Sequence, residues 1–132
     1  MRPVPGALAL LAALKGVAAI GIVTNNAASE QRQKIAACRF DRHAGAIVIS
    51  EEVGVTKPDP RIFRMALGRI GRTAGEAVMV GDAWATDIAG ARSAGIRAVW
   101  FNRLGAASPD PSVPEIRALE PVDVVAARIL SA

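Results

Sequence analysis

The sequence contains no tyrosine, three phenylalanines and two tryptophans, so aromatic residues make up only 4% of it. Stacking platforms for single-stranded nucleic acid need several rings, and this chain nearly lacks them. It has one cysteine, Cys38, and one histidine, His43. That pair makes no disulfide framework, no structural zinc site and no Cys–His–acid triad. A single unpaired cysteine fits a reducing, cytoplasmic compartment. The patterns G-x-S-x-G, G-x-x-x-x-G-K-[ST] and G-x-G-x-x-G are all missing, which removes the nucleophile elbow, the P-loop and the dinucleotide fingerprint. Lysine is scarce too: Lys15, Lys34 and Lys57 are the only three among 16 basic residues. The arginines are scattered without a basic run. The net charge of +4 therefore speaks for solubility and attraction of small anions, not for a nucleic-acid partner.

Long apolar runs are limited to one. Val4 to Val23 is apolar except for Lys15. A lysine at mid-span costs roughly 3 kcal/mol on the insertion scale, and Pro3, Pro5, Gly6, Gly16 and Gly21 divide the run. A signal peptide needs a charge-free core followed by a small-residue cleavage site; here the core ends at Lys15. The run reads as a helix followed by a buried strand, with no membrane partner.

What is present is a chain of 132 residues, 52% hydrophobic and 21% charged. That suits one globular domain over 1–132 that folds without staples. A helix is expected over Ala7 to Leu14, with Leu8, Leu11 and Ala12 inward. Ala18 to Val23 reads as a strand covered on both faces, ending in the polar turn Thr24-Asn25-Asn26. Ser29 is placed to cap a helix over Glu30 to Cys38. Ala46 to Ile49 is a second strand, followed by a loop from Ser50 to Lys57. Asp59 and Pro60 start a helix as N-cap and first residue, burying Phe63, Leu67 and Ile70. Ala77 to Val80 and Ile96 to Phe101 are further strands, with a helix starting at Thr86-Asp87 between them. Residues 103–122 form a proline-rich loop before a terminal helix from Asp123. Apolar strands alternating with helices imply an α/β fold, a Rossmann-like parallel sheet with helices on both faces.

In such sheets ligands bind beyond the carboxyl ends of the strands. Those ends carry Thr24-Asn25-Asn26, the loop to Lys57, Gly81-Asp82 and Asn102. Asp82 and Asp87 form a G-D-x-x-x-x-D pattern. A carboxylate at a strand end suits Mg²⁺, which takes one or two carboxylates plus phosphate oxygens and water. Asp87 equally suits the positive end of a helix. The Thr24 hydroxyl and the N–H groups after it suit a phosphoryl oxygen. Lys57, fixed by Pro58-Asp59-Pro60, offers a compact positive charge. Read singly, each is also an ordinary turn or surface residue.

Taken in order, Ile22-Val23-Thr24-Asn25-Asn26, then Val53-Gly54-Val55-Thr56-Lys57-Pro58-Asp59-Pro60, then Val80-Gly81-Asp82 with Asp87 resemble the haloacid dehalogenase superfamily. More narrowly, they are similar to its phosphatase and 5′-nucleotidase-like branch. The resemblance runs from about Pro5 to Asn102. It implies Mg²⁺-dependent phosphoryl transfer from small phosphate monoesters, nucleotide 5′-monophosphates among them. By that analogy Thr24, Asn25 and Lys57 bind the phosphoryl group. Lys57 is also the catalytic cation that steadies the nucleophile, and Asp82 and Asp87 serve the metal.

The family's D-x-D pair, which supplies the nucleophile, is not found. No two of the six aspartates Asp41, Asp59, Asp82, Asp87, Asp110 and Asp123 are two residues apart, and none precedes Thr24. The expectation is an incomplete, truncated core, lacking its central first strand and its cap, and inactive alone. The edges of the strands starting at Ala18 and Ala77 must then pair directly, gape, or accept a complementing chain or second copy. A non-catalytic phosphate-binding module and one half of a split phosphatase remain open as alternatives.

Overall fold

The computed structural model describes residues 4–132. Helix α1 (Ala7–Lys15) leads into strand β1 (Gly21–Thr24), then helix α2 (Ala28–Ala37), strand β2 (Ala46–Ile49), a short helix α3 (Ser50–Val53) and helix α4 (Pro60–Ile70). Strand β3 (Val78–Gly81) follows, then a π-helical turn Trp84–Ile88 that continues into α5 (Ala89–Ser93). Strands β4 (Arg97–Phe101) and β5 (Glu115–Ile116) and helix α6 (Val122–Leu130) complete the chain. The α/β reading therefore holds. No helix among the described residues is long and apolar enough to cross a membrane.

All strand pairings are parallel. They form two sheets, β1-β2 and β3-β4-β5, not one. Thr24 lies opposite Ile49 in the first sheet and Gly81 opposite Trp100 in the second. Between the facing edges of β1 and β3 lies a cleft of about 550 Å³. Ile22 and Val23 line one side and Met79 and Val80 the other, with Phe63 below and Ile129 above. Of the three outcomes left open for these edges, the molecule takes the gaping one. The burial pattern follows. β4 is largely buried and β2 half buried, whereas β1, expected to be covered on both faces, and β3 contain no fully buried residue because each borders the cleft.

Helices cover both faces. On one face Leu10 of α1 and Val125 and Ile129 of α6 pack on Val99 and Phe101. Alternate residues of β3, Val78 and Val80, turn to this side, as the two-residue strand period requires. On the other face α4 buries Ile62, Phe63, Ala66 and Leu67 against Val48, Ala91 and Ile96. The inward stripe of α1 differs from the expected one: Leu10 is buried, with Ala7 and Leu14 beside it, and Ala12 is exposed. The helix also packs along α6, which helps set the face it turns inward.

Three local expectations change. Helix α2 begins at Ala28, ahead of Ser29, and its first N–H donates to Glu51 Oε1 at 3.1 Å. A carboxylate from α3 thus replaces the local serine cap. Ser50 to Val53, expected as loop, closes one helical turn that ends at Gly54 with φ 78°. Within 103–122, expected as loop, Glu115–Ile116 add a fifth strand beside Trp100 and Phe101.

Candidate functional site

β1 runs parallel to β2 and β3 parallel to β4, and the residues that follow these strands meet along one rim. The rim is held by hydrogen bonds between segments far apart in sequence. Asn25 forms a two-point clamp on the backbone of Lys57: Lys57 N–H donates to Asn25 Oδ1 at 2.9 Å, and Asn25 Nδ2 donates to Lys57 O at 3.2 Å. Next to it Asn26 adopts φ 98°, a left-handed conformation that asparagine tolerates better than most residues. Buried Ser50 pins that turn, its hydroxyl accepting from Asn26 N–H at 3.0 Å.

Lys57 Nζ lies 2.6 Å from Asp87 Oδ1, and the two side chains are only 11% and 6% exposed. The other carboxylate oxygen of Asp87 accepts from Ala83 N–H at 3.2 Å. Two glycines make this approach possible. A Cβ on Gly81 would sit 2.5 Å from the Asp87 Oδ2 atom, and one on Gly90 would sit 2.9 Å from Phe63 Cε2 and 3.0 Å from Pro58 Cα. At the start of the π-helical turn, Ala83 O accepts from the N–H of Asp87 at 2.8 Å and from that of Ile88, five residues on, at 3.4 Å. Asn25, Lys57, Asp87 and Ala83 are thus one bonded series across the mouth of both sheets.

Thr24 and Asp82 sit at the two ends of that series. Thr24 is half-buried at the last position of β1, its hydroxyl donating to Asn25 O at 3.0 Å. Asp82 is exposed, and none of the ion pairs among the described residues uses it. Asn102 is a rim residue that stays out of the site. Its amide binds Ala106 on both sides and Glu115, which organises the loop after β4.

The five residues singled out in the sequence therefore lie along one rim. Their engagements differ from those expected for two of them. Both polar atoms of the Asn25 side chain hold the Lys57 backbone, and both oxygens of Asp87 are committed to Lys57 and Ala83. Among the described residues no three His, Cys, Asp or Glu side chains cluster as a metal cage. Of the two rim carboxylates, Asp82 and Asp87, only that of Asp82 takes part in no ion pair among the described residues. It fits a Mg²⁺ ion that keeps its waters and takes further oxygens from a phosphate, because such sites use as few as one protein carboxylate.

At the foot of the Lys57 loop, Asp59 accepts from the N–H of Arg61 at 2.9 Å and pairs with its guanidinium at 2.7 Å. The Arg61 side chain, then its N–H, lowers the Asp59 carboxyl from its ordinary 3.8 to about 2. The start of α4, and with it the loop, is held by this cap. Ser50 and the clamp made by Asn25 carried no local signal, since each partner lies 24 or 32 residues away.

A model of the haloacid dehalogenase-like hydrolases matches residues 1–95. The phosphoserine phosphatase of Thermus thermophilus is 45% identical over 100 residues, covering 75% of this chain and 40% of the relative. The pyrimidine 5′-nucleotidase YjjG of Escherichia coli is 38% identical over 113 residues, covering 85% and 50%. Among solved structures, a phosphatase of the same superfamily from Thermococcus onnurineus superposes with a TM-score of 0.81 at 35% identity, over 87% of this chain and 54% of that one. The chain spans about half the length of the relatives it matches.

Proposed function

The chain belongs to the haloacid dehalogenase-like hydrolases, and from that membership we propose that it forms the phosphoryl-binding part of a phosphatase acting on small phosphate monoesters. The observation that carries this reading is the Lys57–Asp87 pair at 2.6 Å, flanked on the rim by Thr24 and Asp82. The relatives named as phosphoserine phosphatase and pyrimidine 5′-nucleotidase support the substrate class, nucleotide monophosphates included.

Each residue has a role in this reading. The Thr24 hydroxyl turns from Asn25 O to donate to a phosphoryl oxygen. Asn25 borders that oxygen and holds the Lys57 loop in place. Lys57 offsets the charge that builds on the phosphoryl group; one unit-charge pair at 4 Å is worth about 4 kcal/mol at an effective dielectric near 20. Asp87 keeps the Lys57 ammonium extended toward the rim. Asp82 holds Mg²⁺, assisted through the rim by Asp87. When bound, Mg²⁺ neutralises phosphoryl charge and orients the leaving group.

None of the six aspartates forms a D-x-D pair, so the attacking carboxylate comes from elsewhere. Its route is the cleft between β1 and β3. Two parallel edges with unpaired backbone groups accept a strand by main-chain hydrogen bonding, and apolar walls suit its alternate side chains. Such a strand, from a longer polypeptide or a complementing chain, would reach the rim between Thr24 and Asp82. In this reading residues 1–132 are one partial core domain, inactive alone. The unpaired Cys38, buried in the fold, supports a cytoplasmic setting.

The test is hydrolysis of p-nitrophenyl phosphate with Mg²⁺. The chain alone is expected to give no turnover. Adding a second polypeptide that carries an apolar strand ending in D-x-D is expected to restore it. Robust turnover by the chain alone would place the nucleophile among its own residues and contradict the proposal. The lack of a D-x-D pair also favours a second reading, a non-catalytic phosphate-binding module. That reading predicts phosphate binding with no turnover under either condition.

A further inference from the structure

Asp82 leaves β3 into a turn that is fixed from outside the rim series. Trp100, on β4 directly across from Gly81, is buried at 6% exposure. Its indole Nε1 donates to the backbone carbonyl of Asp82 at 2.9 Å. Trp84, in the π-helical turn, meets Trp100 edge-on at 5.0 Å and 80° between rings, a favoured geometry for an aromatic pair. Ile88 of the same turn is fully buried against Trp100 and Ala98. The chain has only these two tryptophans, and both grip the 82–88 segment.

We propose that Trp100 is a positioning residue for Asp82. Its N–H fixes the carbonyl of Asp82, and the ring pair fixes the turn behind it, so the exposed carboxylate is presented to a hydrated divalent cation in one orientation. The proposal rests on the reading of Asp82 as a cation ligand. An indole N–H to a backbone carbonyl is a directional bond that phenylalanine of similar shape does not make. A site with a single protein carboxylate has no other ligand to correct a misplaced one. Losing one neutral hydrogen bond of ordinary strength corresponds to about a fivefold change in an equilibrium constant.

The test uses the whole chain, ¹⁵N-labelled, with Mn²⁺ as a paramagnetic probe of the cation site. The two indole N–H signals are assigned with Trp84→Phe. In the parent, Mn²⁺ is expected to broaden the Trp100 indole signal and the Ala83 amide, an effect reversed by excess Mg²⁺ and lost in Asp82→Asn. Trp100→Phe is expected to weaken Mn²⁺ binding about fivefold and to speed hydrogen exchange at Ala83, with the sheet amides unchanged. Unaltered affinity together with unaltered exchange in folded Trp100→Phe overturns the proposal. If the parent shows no Asp82-dependent broadening, the cation reading fails and the proposal falls with it; faster exchange at Ala83 would then leave only a structural bond. Should Trp100→Phe not fold, the parent decides: a Trp100 indole N–H that exchanges as fast as that of Trp84 overturns the proposal.

Discussion

At the scale of single residues, the Lys57–Asp87 pair dominates. Both side chains are nearly buried, so removing one charge strands the other in a poorly solvated place. Lys57→Met is expected to destabilise the chain by about 3 kcal/mol, read as a lower denaturation midpoint at unchanged slope. Adding Asp87→Asn, which keeps an acceptor for Ala83 N–H, is expected to recover part of that loss. A single variant within 0.5 kcal/mol of the parent would mean the pair is solvated and the site loosely built. The sequence made the charged residues legible, because parallel sheets collect chemistry at strand ends. It did not make legible which partner each would take. Asp87 looked equally like a helix-end acid, and its hold on Lys57 depends on Gly81 and Gly90 yielding the space. Trp100 lies 18 residues from the carbonyl it binds, so its place in the strand gave no sign of that bond.

At the scale of elements, α4 was the most legible. Asp59 caps it, Pro60 opens it and Gly71 closes it with φ 68°, all local devices. The cap also gives a pH signature. Asp59 is lowered from 3.8 to about 2 by Arg61. A carboxylate with a depressed folded value stabilises fully above its unfolded value and loses that contribution as pH falls through the folded one. The stability difference between the parent and Asp59→Ala is therefore expected to be constant above about pH 5, to shrink between pH 4 and pH 2, and to be least at pH 2. Denaturant titrations across that range check it; a difference independent of pH would mean that backbone capping, not charge, matters there. Helix α2 shows the opposite case. Its cap comes from Glu51 on another element, which no pattern within residues 28–37 announces. The inward face of α1 was misjudged for a related reason, since its neighbour is α6 at the far end of the chain.

At the scale of the whole molecule, the parallel α/β architecture was legible from alternating apolar runs, and so was the vacancy between β1 and β3. What local sequence could not supply was the outcome of that vacancy: a cleft of about 550 Å³ between the two sheets, lined in part by residues of α1, α4 and α6. That cleft has exposed Val17 and Leu130 among its lining residues, a combination associated with interaction surfaces. Yet the rim above the cleft is already assembled without it, through Asn25, Lys57 and Asp87. We propose that this rim binds a phosphoryl anion on its own. The direct measurement is calorimetric titration of the chain with inorganic phosphate in the presence of Mg²⁺, below the melting range of every variant used. One phosphate per chain is expected to bind saturably, and at least tenfold more weakly in Lys57→Gln and in Asp82→Asn. Absence of saturable binding, or binding that both variants leave unchanged, would contradict it.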